Sequence, residues 1–355
     1  MPEVLELRDL RDAFARIETW LRDRGFFAPG GEGLVADVYL GYGLSQSIRR
    51  GTAPAPPEPC AALPLAACRL SESRTSPLSE SFEIGDWEQT WTAVEYSTAI
   101  EDVRTAIGRG DVYQVNLVQH LQATFAGDPR ALADCLASMR PLQPAPFVTD
   151  TWTVVSASPE LFLCRRGDLV RTMPIKGTRP RGAGAELRAS AKDAAEHIMI
   201  VDLERNDLSR VCKAGTVVWP ELMATKSLTG VEHMVSTVQG TLRDGVGLAS
   251  ILEATFPGGS VTGAPKIAAV DLIAELEPVG RGAAMGALGR IYGNGDFDLA
   301  LTIRTFAVAD GWIHLWVGGG IVWDSDPASE VEESWTKARP LLEAVGSRVP
   351  EVALT

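Results

Sequence analysis

Apolar residues recur every three or four positions in several stretches of the chain, and this spacing predicts amphipathic helices. The first helix is expected within residues 1–25, where the apolar positions run from Leu7 through Phe14 to Leu21. The same spacing predicts four further helices, over Ala93–Arg109, Lys192–Lys213, Ala264–Leu276 and Ala328–Val345.

Alternating apolar and polar residues predict strands between these helices. The clearest case runs from Phe297 to Trp323, where two β-rich runs are joined by a hairpin turn at Asp310-Gly311. Shorter strands are predicted over Val112–Leu121, Thr153–Ser156, Leu161–Arg165 and Leu169–Met173. Because the strands come in hairpin-like pairs with helices between them, we expect an α+β fold with largely antiparallel sheets.

Residues 51–81 interrupt both periodicities, because prolines crowd the first part of this stretch and serines the second. Such a composition is typical of a loop or linker. The predicted organisation is therefore an N-terminal region with this linker over residues 1–85, followed by a catalytic domain over residues 86–355.

Composition narrows the possible functions of the chain. With 45% hydrophobic and 22% charged residues, it resembles an ordinary soluble globular protein. The sequence has neither a membrane-length apolar run nor an export signal, so a cytoplasmic protein without membrane contact is expected. The five cysteines lack metal or disulfide spacing. A net charge of −13 disfavours nucleic acid, and an anionic ligand would need local cations or a metal.

The glycine-rich segment Phe256–Lys266 has two glycines five residues apart, as a nucleotide-binding phosphate loop does. Ala264 and Pro265 stand where that loop needs a lysine and a hydroxyl residue, so an ATP site is disfavoured. A close approach of some other small ligand to this backbone remains open.

The last predicted helix carries Glu330, Glu333 and Lys337 on one face. This face is either a solvated ionic stripe or a functional site, and the preceding Gly318–Gly320 favours the second because a ligand can approach bare backbone there. Together with Glu196 from an earlier helix, these carboxylates would supply the oxygen ligands that Mg²⁺ takes, although Glu196 could equally belong to a set of surface ion pairs.

Lysine is rare in this chain, where it makes up six of the 33 basic residues. Lys176 lies in an apolar turn, and a desolvated lysine can serve as a nucleophile, which arginine cannot do. The alternative is an ordinary turn lysine. Glu160 follows a strand and could act as a general acid, while His233 is more typical of a packed histidine.

Nine motifs together resemble the chorismate-utilising enzymes, in the order in which that family has them. They cover residues from Gly110 to about Val345 and read GDVYQVNL, SASPELF, TMPIKGTRPRG, EHIMIVDLERNDL, VEHMVSTVQG, FPGGSVTGAPK, LALTIRTF, GGGIVWDSDP and EVEESWTKA. The resemblance implies two antiparallel sheets around a central cleft with helices outside. It also implies that chorismate, a dianion, is the substrate and that Mg²⁺ is the cofactor.

The resemblance also implies roles for individual residues. Glu160 matches a glutamate that assists loss of the C4 hydroxyl, and His233 matches a histidine beside the substrate ring. The carboxylates that match magnesium ligands are Glu196, Glu330 and Glu333. The positions that match substrate contacts are Gln114, Gly177, Thr178, Arg304, Gly318, Gly319, Gly320 and Lys337.

Two positions distinguish the branches of the family. Gln114 stands where the water-adding members have a lysine base, which disfavours those branches. Lys176 stands where anthranilate synthases have alanine, and it resembles the nucleophile of aminodeoxychorismate synthase component I. That resemblance implies synthesis of 4-amino-4-deoxychorismate for 4-aminobenzoate and folate, with ammonia from a separate glutamine amidotransferase subunit.

Two alternatives stay open. One is anthranilate synthase component I, which aminates chorismate at C2. The other is a catalytically impaired chorismate-binding subunit, suggested by Ala284 in place of a family tyrosine and by a short segment ahead of the first motif.

Overall fold

A computed structural model of the chain describes residues 3–71, 81–180, 182–228 and 231–348. Within these ranges the structure contains eight α-helices and three short 3₁₀ helices, the latter at Tyr42–Ile48, Ala137–Met139 and Gly259–Val261. The α-helices are α1 Ala13–Arg22, α2 Ala93–Arg109, α3 Ala131–Leu136, α4 Gly184–Ala189, α5 Ala191–Ser209, α6 Leu248–Thr255, α7 Lys266–Leu276 and α8 Pro327–Ala344. In the part of the chain so described, no helix is both long enough and apolar enough to cross a membrane.

Eighteen strands are found in the same ranges. They are β1 Val4–Leu7, β2 Val35–Leu40, β3 Ala66–Leu70, β4 Phe82–Ile84, β5 Glu88–Gln89, β6 Gln114–Gly127, β7 Phe147–Val148, β8 Trp152–Ser156, β9 Leu161–Arg166, β10 Leu169–Met173, β11 Ile175–Pro180, β12 Val218–Leu228, β13 Val231–Thr241, β14 Gly263–Ala264, β15 Ala287–Tyr292, β16 Phe297–Leu301, β17 Thr305–Ala309 and β18 Trp312–Ile321.

The strands form two antiparallel sheets. The larger has the order β1-β3-β2-β15-β16-β9-β10-β13-β11, with β12 also paired to β13. The smaller has the order β14-β6-β18-β17-β8-β7, with β4 and β5 also paired to β6. The hairpin predicted at Asp310-Gly311 joins β17 to β18, as expected. Pairing of β2 with β15 places the N-terminal strands in the larger sheet, and the division at residue 85 stays a prediction.

The first run of the predicted hairpin, from Phe297 to the turn at Asp310-Gly311, is not one strand, because the chain leaves one sheet and enters the other within it. β16 belongs to the larger sheet and β17 to the smaller one. The corner between them ends at Arg304, whose φ of 51° is rare for a residue with a side chain. This corner therefore places Arg304 where the two sheets meet.

Helix prediction was right where local signals were strong. α2 has the predicted bounds, because Thr92 and Glu95 form a reciprocal capping box and Gly110 ends the helix with a φ of 82°. The opening helix was wrong in its first part, since Val4–Leu7 forms a strand paired with β3 and the helix begins at Ala13. Apolar side chains on a short strand buried on one face imitate part of a helical stripe.

Two other boundaries differ from the prediction. The loop predicted over residues 51–81 contains β3, whose small apolar residues pair with both β1 and β2, while residues 72–80 lie outside the described ranges. The helix predicted to reach Lys213 ends at Ser209, and Cys212 instead forms an isolated bridge with Leu242. Tertiary pairing outweighs the loop composition at the first place and helical periodicity at the second.

A buried ion pair ties the segment that follows α7 to the smaller sheet. Arg281 and Glu277 are 2.6 Å apart, and both side chains are almost fully buried. Arg281 also donates to the carbonyl of Asn116 at 2.6 Å, and Glu277 accepts from the backbone N–H of Val118 at 3.1 Å. Because every charge here is hydrogen-bonded, the pair is tolerated in the core.

A buried histidine pair in the smaller sheet predicts acid sensitivity. His120 Nε2 lies 3.0 Å from His314 Nδ1, and burial lowers the pKa of His120 to about 3 and that of His314 to about 4. Below a pH of about 6.5 the two histidines become protonated in the unfolded chain but stay neutral in the folded protein. Acid therefore favours the unfolded state. We expect the free energy of unfolding, measured with urea, to fall as pH drops from about 6.5 towards 4. The fall should be steeper in the wild-type protein than in His120→Gln. Equal slopes would contradict this expectation.

Candidate functional site

The candidate site lies where β6, β11, β18, α5 and α8 approach one another. Lys176 on β11 forms an ion pair with Glu196 on α5, with 2.9 Å between Nζ and Oε1. Gln114 at the start of β6 is fully buried and donates from Nε2 to the same oxygen at 3.1 Å. Three residues predicted from separate motifs are thus in direct contact.

The charges of Lys176 and Glu196 hold each other in the ionised form. Burial alone would lower the pKa of Lys176, but the neighbouring carboxylates, with Glu196 first among them, together outweigh it, so the net pKa is raised. For Glu196, burial opposes ionisation, and the Lys176 ammonium nevertheless brings the pKa below its ordinary value. The resting site therefore contains an ammonium, which must lose a proton before it can act as a nucleophile.

Glu160 is buried beside this ion pair, with 4% of its surface exposed. Its Oε1 accepts a hydrogen bond from Ser260 Oγ at 2.7 Å and another from the backbone N–H of Ile175 at 3.3 Å. Burial raises the pKa of Glu160, and this outweighs the opposing effects of Ser260, Lys176 and other neighbours. A raised pKa keeps a carboxyl protonated to higher pH, which suits general acid catalysis.

Arg304 and His233 line the same region. Arg304 is close enough to influence the charges of both Glu160 and His233, and burial lowers its own pKa. His233 Nδ1 donates to the carbonyl of Gly177 at 3.2 Å, and burial lowers the pKa of this histidine. Thr178 pairs with His233 in the β11–β13 register. A neutral histidine and a buried guanidinium would together suit an anionic ring substrate.

The predicted cradle at Gly318–Gly320 faces the acidic stripe of α8. A Cβ on Gly319 would lie 3.4 Å from Glu330, Glu333 and Lys337 side-chain atoms alike. Lys337 Nζ forms an ion pair with Glu333 at 2.8 Å and donates to the carbonyl of Gly318 at 2.8 Å. Gly319 therefore lies within van der Waals range of all three side chains of this stripe.

Gly320 connects this stripe to the first group. A Cβ there would lie 2.2 Å from Gln114 Nε2 and 2.8 Å from Glu196 Oε1, so a side chain could not be accommodated without displacement of both. The Glu333 charge also raises the pKa of Lys176, after the larger effects of burial, Glu196 and Glu160. The residues from α5, β11 and α8 are therefore parts of one electrostatic cluster.

The carboxylates predicted to bind Mg²⁺ are of the right chemical kind, since hard oxygen ligands suit this cation. Glu330 is held by a 2.7 Å hydrogen bond from Ser325 Oγ, and Glu196 and Glu333 each face a lysine. Among the described residues, no three potential ligands form a preassembled metal cluster. The donor set therefore fits the ion chemically, and magnesium binding stays a prediction.

Sequence reasoning missed several buried polar groups behind the site. Glu204 accepts from Thr172 Oγ1 at 3.0 Å, and burial, with Glu160 as the next cause, raises its pKa to about 8. His197 Nε2 lies 2.6 Å from Ser236 Oγ. Both residues lie on α5 among charged residues, a pattern typical of a solvent-exposed helix face. No local feature of the sequence therefore indicates that their side chains are buried. Ala284 is buried and offers no hydroxyl group.

Comparison with known proteins identifies a family for the chain. Residues 47–343 match the chorismate binding enzyme family. Anthranilate synthase component 1 of Streptomyces coelicolor is 38% identical over 315 residues, which are 85% of this chain and 59% of that protein. Aminodeoxychorismate synthase component 1 of Klebsiella aerogenes is 39% identical over 298 residues, which are 80% of this chain and 65% of that protein. The chain thus spans about three-fifths of the length of these relatives.

The fold itself is shared with a solved structure. Anthranilate synthase component I from Streptococcus pneumoniae matches with a TM-score of 0.83 at 23% sequence identity, covering 96% of this chain and 90% of that one. The predicted α+β fold with two antiparallel sheets is therefore confirmed.

Proposed function

The chain belongs to the chorismate binding enzyme family, and from this premise we propose that it is component I of an aminodeoxychorismate synthase. The observation that carries the proposal is the position of Lys176, whose ammonium lies 2.9 Å from Glu196 and beside the buried acid Glu160. A lysine at that place can form a covalent bond with a substrate bound against Gly318–Gly320.

The proposed reaction has two displacements. The neutral amine of Lys176 attacks C2 of chorismate, the ring double bonds shift, and the C4 hydroxyl leaves as water with a proton from Glu160. Ammonia then attacks C4 and the bond between C2 and the lysine breaks, which regenerates the neutral amine. The ammonium group formed at C4 returns a proton to the Glu160 carboxylate, which yields 4-amino-4-deoxychorismate. Chorismate and ammonia are thereby converted to 4-amino-4-deoxychorismate and water. This product would serve as the precursor of 4-aminobenzoate and folate.

In this proposal Glu196, Glu330 and Glu333 would hold Mg²⁺, whose positive charge would offset the substrate's carboxylates. Arg304 and Lys337 add positive charge in the same cleft. This charge would offset the repulsion of an anionic substrate by a chain of net charge −13. We further propose that a glutamine amidotransferase supplies ammonia, supported by the term "component 1" in the names of both relatives.

Anthranilate synthase component I is a second candidate, favoured by the similarity to the Streptomyces coelicolor protein of that name. Product analysis separates the two. The chain is incubated with chorismate and high ammonium, with Mg²⁺ or with a chelator, and with or without an aminodeoxychorismate lyase. We expect 4-aminobenzoate only when both Mg²⁺ and the lyase are present.

The other outcomes of this experiment have definite meanings. Anthranilate formed without the lyase would contradict the proposal and support amination at C2. Activity that survives the chelator would contradict the magnesium assignment alone. A folded chain that binds chorismate but forms no product would support a catalytically impaired binding subunit.

A further inference from the structure

The loop between α6 and α7 places Ser260 between the two side chains proposed to carry out the reaction. Its hydroxyl donates to Glu160 Oε1 at 2.7 Å, and its carbonyl accepts from Lys176 Nζ at 3.3 Å. Only 5% of the Ser260 surface is exposed. One residue therefore contacts the acid through its side chain and the amine through its backbone.

The loop around Ser260 is held from several sides. A Cβ on Gly258 would lie 2.9 Å from the Leu301 side chain, and one on Gly259 would lie 2.9 Å from the Leu203 side chain. Arg281 donates to the carbonyl of Val261 at 2.9 Å. Because the bare glycine backbone packs closely and the next residue is clamped by a buried guanidinium, the position of Ser260 is well defined.

The two oxygens of Glu160 have different surroundings. Oε1 accepts hydrogen bonds from Ser260 Oγ and from the Ile175 N–H, whereas no described residue is hydrogen-bonded to Oε2. In a neutral carboxyl the carbonyl oxygen accepts while the hydroxyl oxygen donates. The donors at Oε1 therefore leave the acid proton on Oε2.

We propose that Ser260 is a positioning residue that keeps the Glu160 proton on Oε2, directed away from the loop and available to the leaving hydroxyl. The inference rests on the proposed function, in which Glu160 protonates that hydroxyl. It extends the function to a residue that does not itself react.

Removal of the Ser260 hydroxyl has a defined electrostatic effect. The charged or titratable groups that influence Glu160 are Lys176 from β11, Arg304 from the corner between the sheets, and Glu204 from α5. After burial, the Ser260 hydrogen bond is the largest influence on the pKa of Glu160, and it lowers that pKa. Ser260→Ala should therefore raise the pKa and extend the protonated form to higher pH.

The test compares Ser260→Ala with Thr262→Val. Thr262 is a buried neighbour on the same loop, whose hydroxyl donates to the Gly258 carbonyl at 2.9 Å. In Ser260→Ala, kcat should fall roughly tenfold with little change in KM, and the basic limb of the pH profile should move to higher pH. Thr262→Val should leave that limb in place. An unshifted limb in Ser260→Ala, or the same shift in both variants, would overturn the proposal.

An infrared measurement tests the proton position without turnover. The carboxyl band of Glu160 is identified as the difference between the wild-type protein and Glu160→Gln, at a pH where the acid is protonated. A band at the frequency of a hydrogen-bonded carbonyl supports the proposal, and Ser260→Ala should move it to higher frequency. A band of a free carbonyl in the wild-type protein would overturn it.

Failure of this inference can be distinguished from failure of the proposed function. If Glu160→Gln keeps full activity, Glu160 is not the acid and the proposed function loses that step. If Glu160→Gln is inactive while Ser260→Ala matches the wild type in rate, pH profile and band position, only the role of Ser260 is wrong.

Discussion

Lys176→Ala is expected to abolish formation of 4-amino-4-deoxychorismate, with a loss in kcat on the order of 10³-fold or more. The variant removes the amine proposed to bond to C2, which is also a positive charge that lowers the pKa of Glu160. Mass-resolved product analysis with chorismate, Mg²⁺, ammonium and an aminodeoxychorismate lyase measures the loss. Circular dichroism confirms that the fold is retained.

Lys176→Arg is the matched control for the charge at this position. It preserves a cation beside Glu196, but a guanidinium keeps its proton and cannot serve as the nucleophile. We therefore expect the arginine variant to be as inactive as the alanine variant. Full activity in either variant would contradict the proposed role of Lys176 as the nucleophile. Anthranilate formed by Lys176→Ala at the wild-type rate would favour direct amination at C2.

Glu160→Gln is expected to lower kcat by roughly 10²- to 10⁴-fold, because an amide cannot protonate the leaving hydroxyl. The sign of the pH dependence follows from the raised pKa of this buried carboxyl. The reactive form is the protonated one, so wild-type activity should fall as pH rises through that pKa. The residual activity of Glu160→Gln should lack this basic limb in kcat measured across pH.

Glu204→Gln is the control for a buried carboxyl on the same side of the site. Burial is the largest cause that raises the pKa of Glu204 to about 8, so its side chain is mostly neutral at pH 7. Glutamine imitates the neutral acid, and Glu204→Gln should retain nearly the wild-type rate at that pH. Equal losses in the two variants would mean that disturbed packing, and not proton donation by Glu160, causes the effect.

Much of the candidate site could be predicted from local sequence. The helical spacing of Glu330, Glu333 and Lys337 places them on one face, and the structure keeps them together beside Gly319. The scarcity of lysine marked Lys176, which lies on strand β11 and not in the turn expected from its neighbours. Such features depend on a few neighbouring residues, whose geometry follows from the repeat of a helix or a strand.

Contacts between distant segments could not be predicted in this way. Gln114 and Glu196 are 82 residues apart in the chain, and Ser260 follows Glu160 by 100 residues. Their distances depend on the order of strands in two sheets and on the path of the loop at Gly258–Gly259. Periodicity does not report strand order, since it records only which face of an element is buried.

The sequence by itself determined where most of the helices and strands lie, that the sheets are antiparallel, and which kinds of side chain are available for chemistry. Only the tertiary structure decided that β16 and β17 belong to different sheets and that Arg304 occupies the corner between them. It also decided the protonation of the site, because burial and neighbouring charge shift the pKa of Glu160 upward and that of Glu196 downward. The physical reason is that local conformation depends on adjacent residues, whereas desolvation and charge pairing depend on every segment that packs around a group.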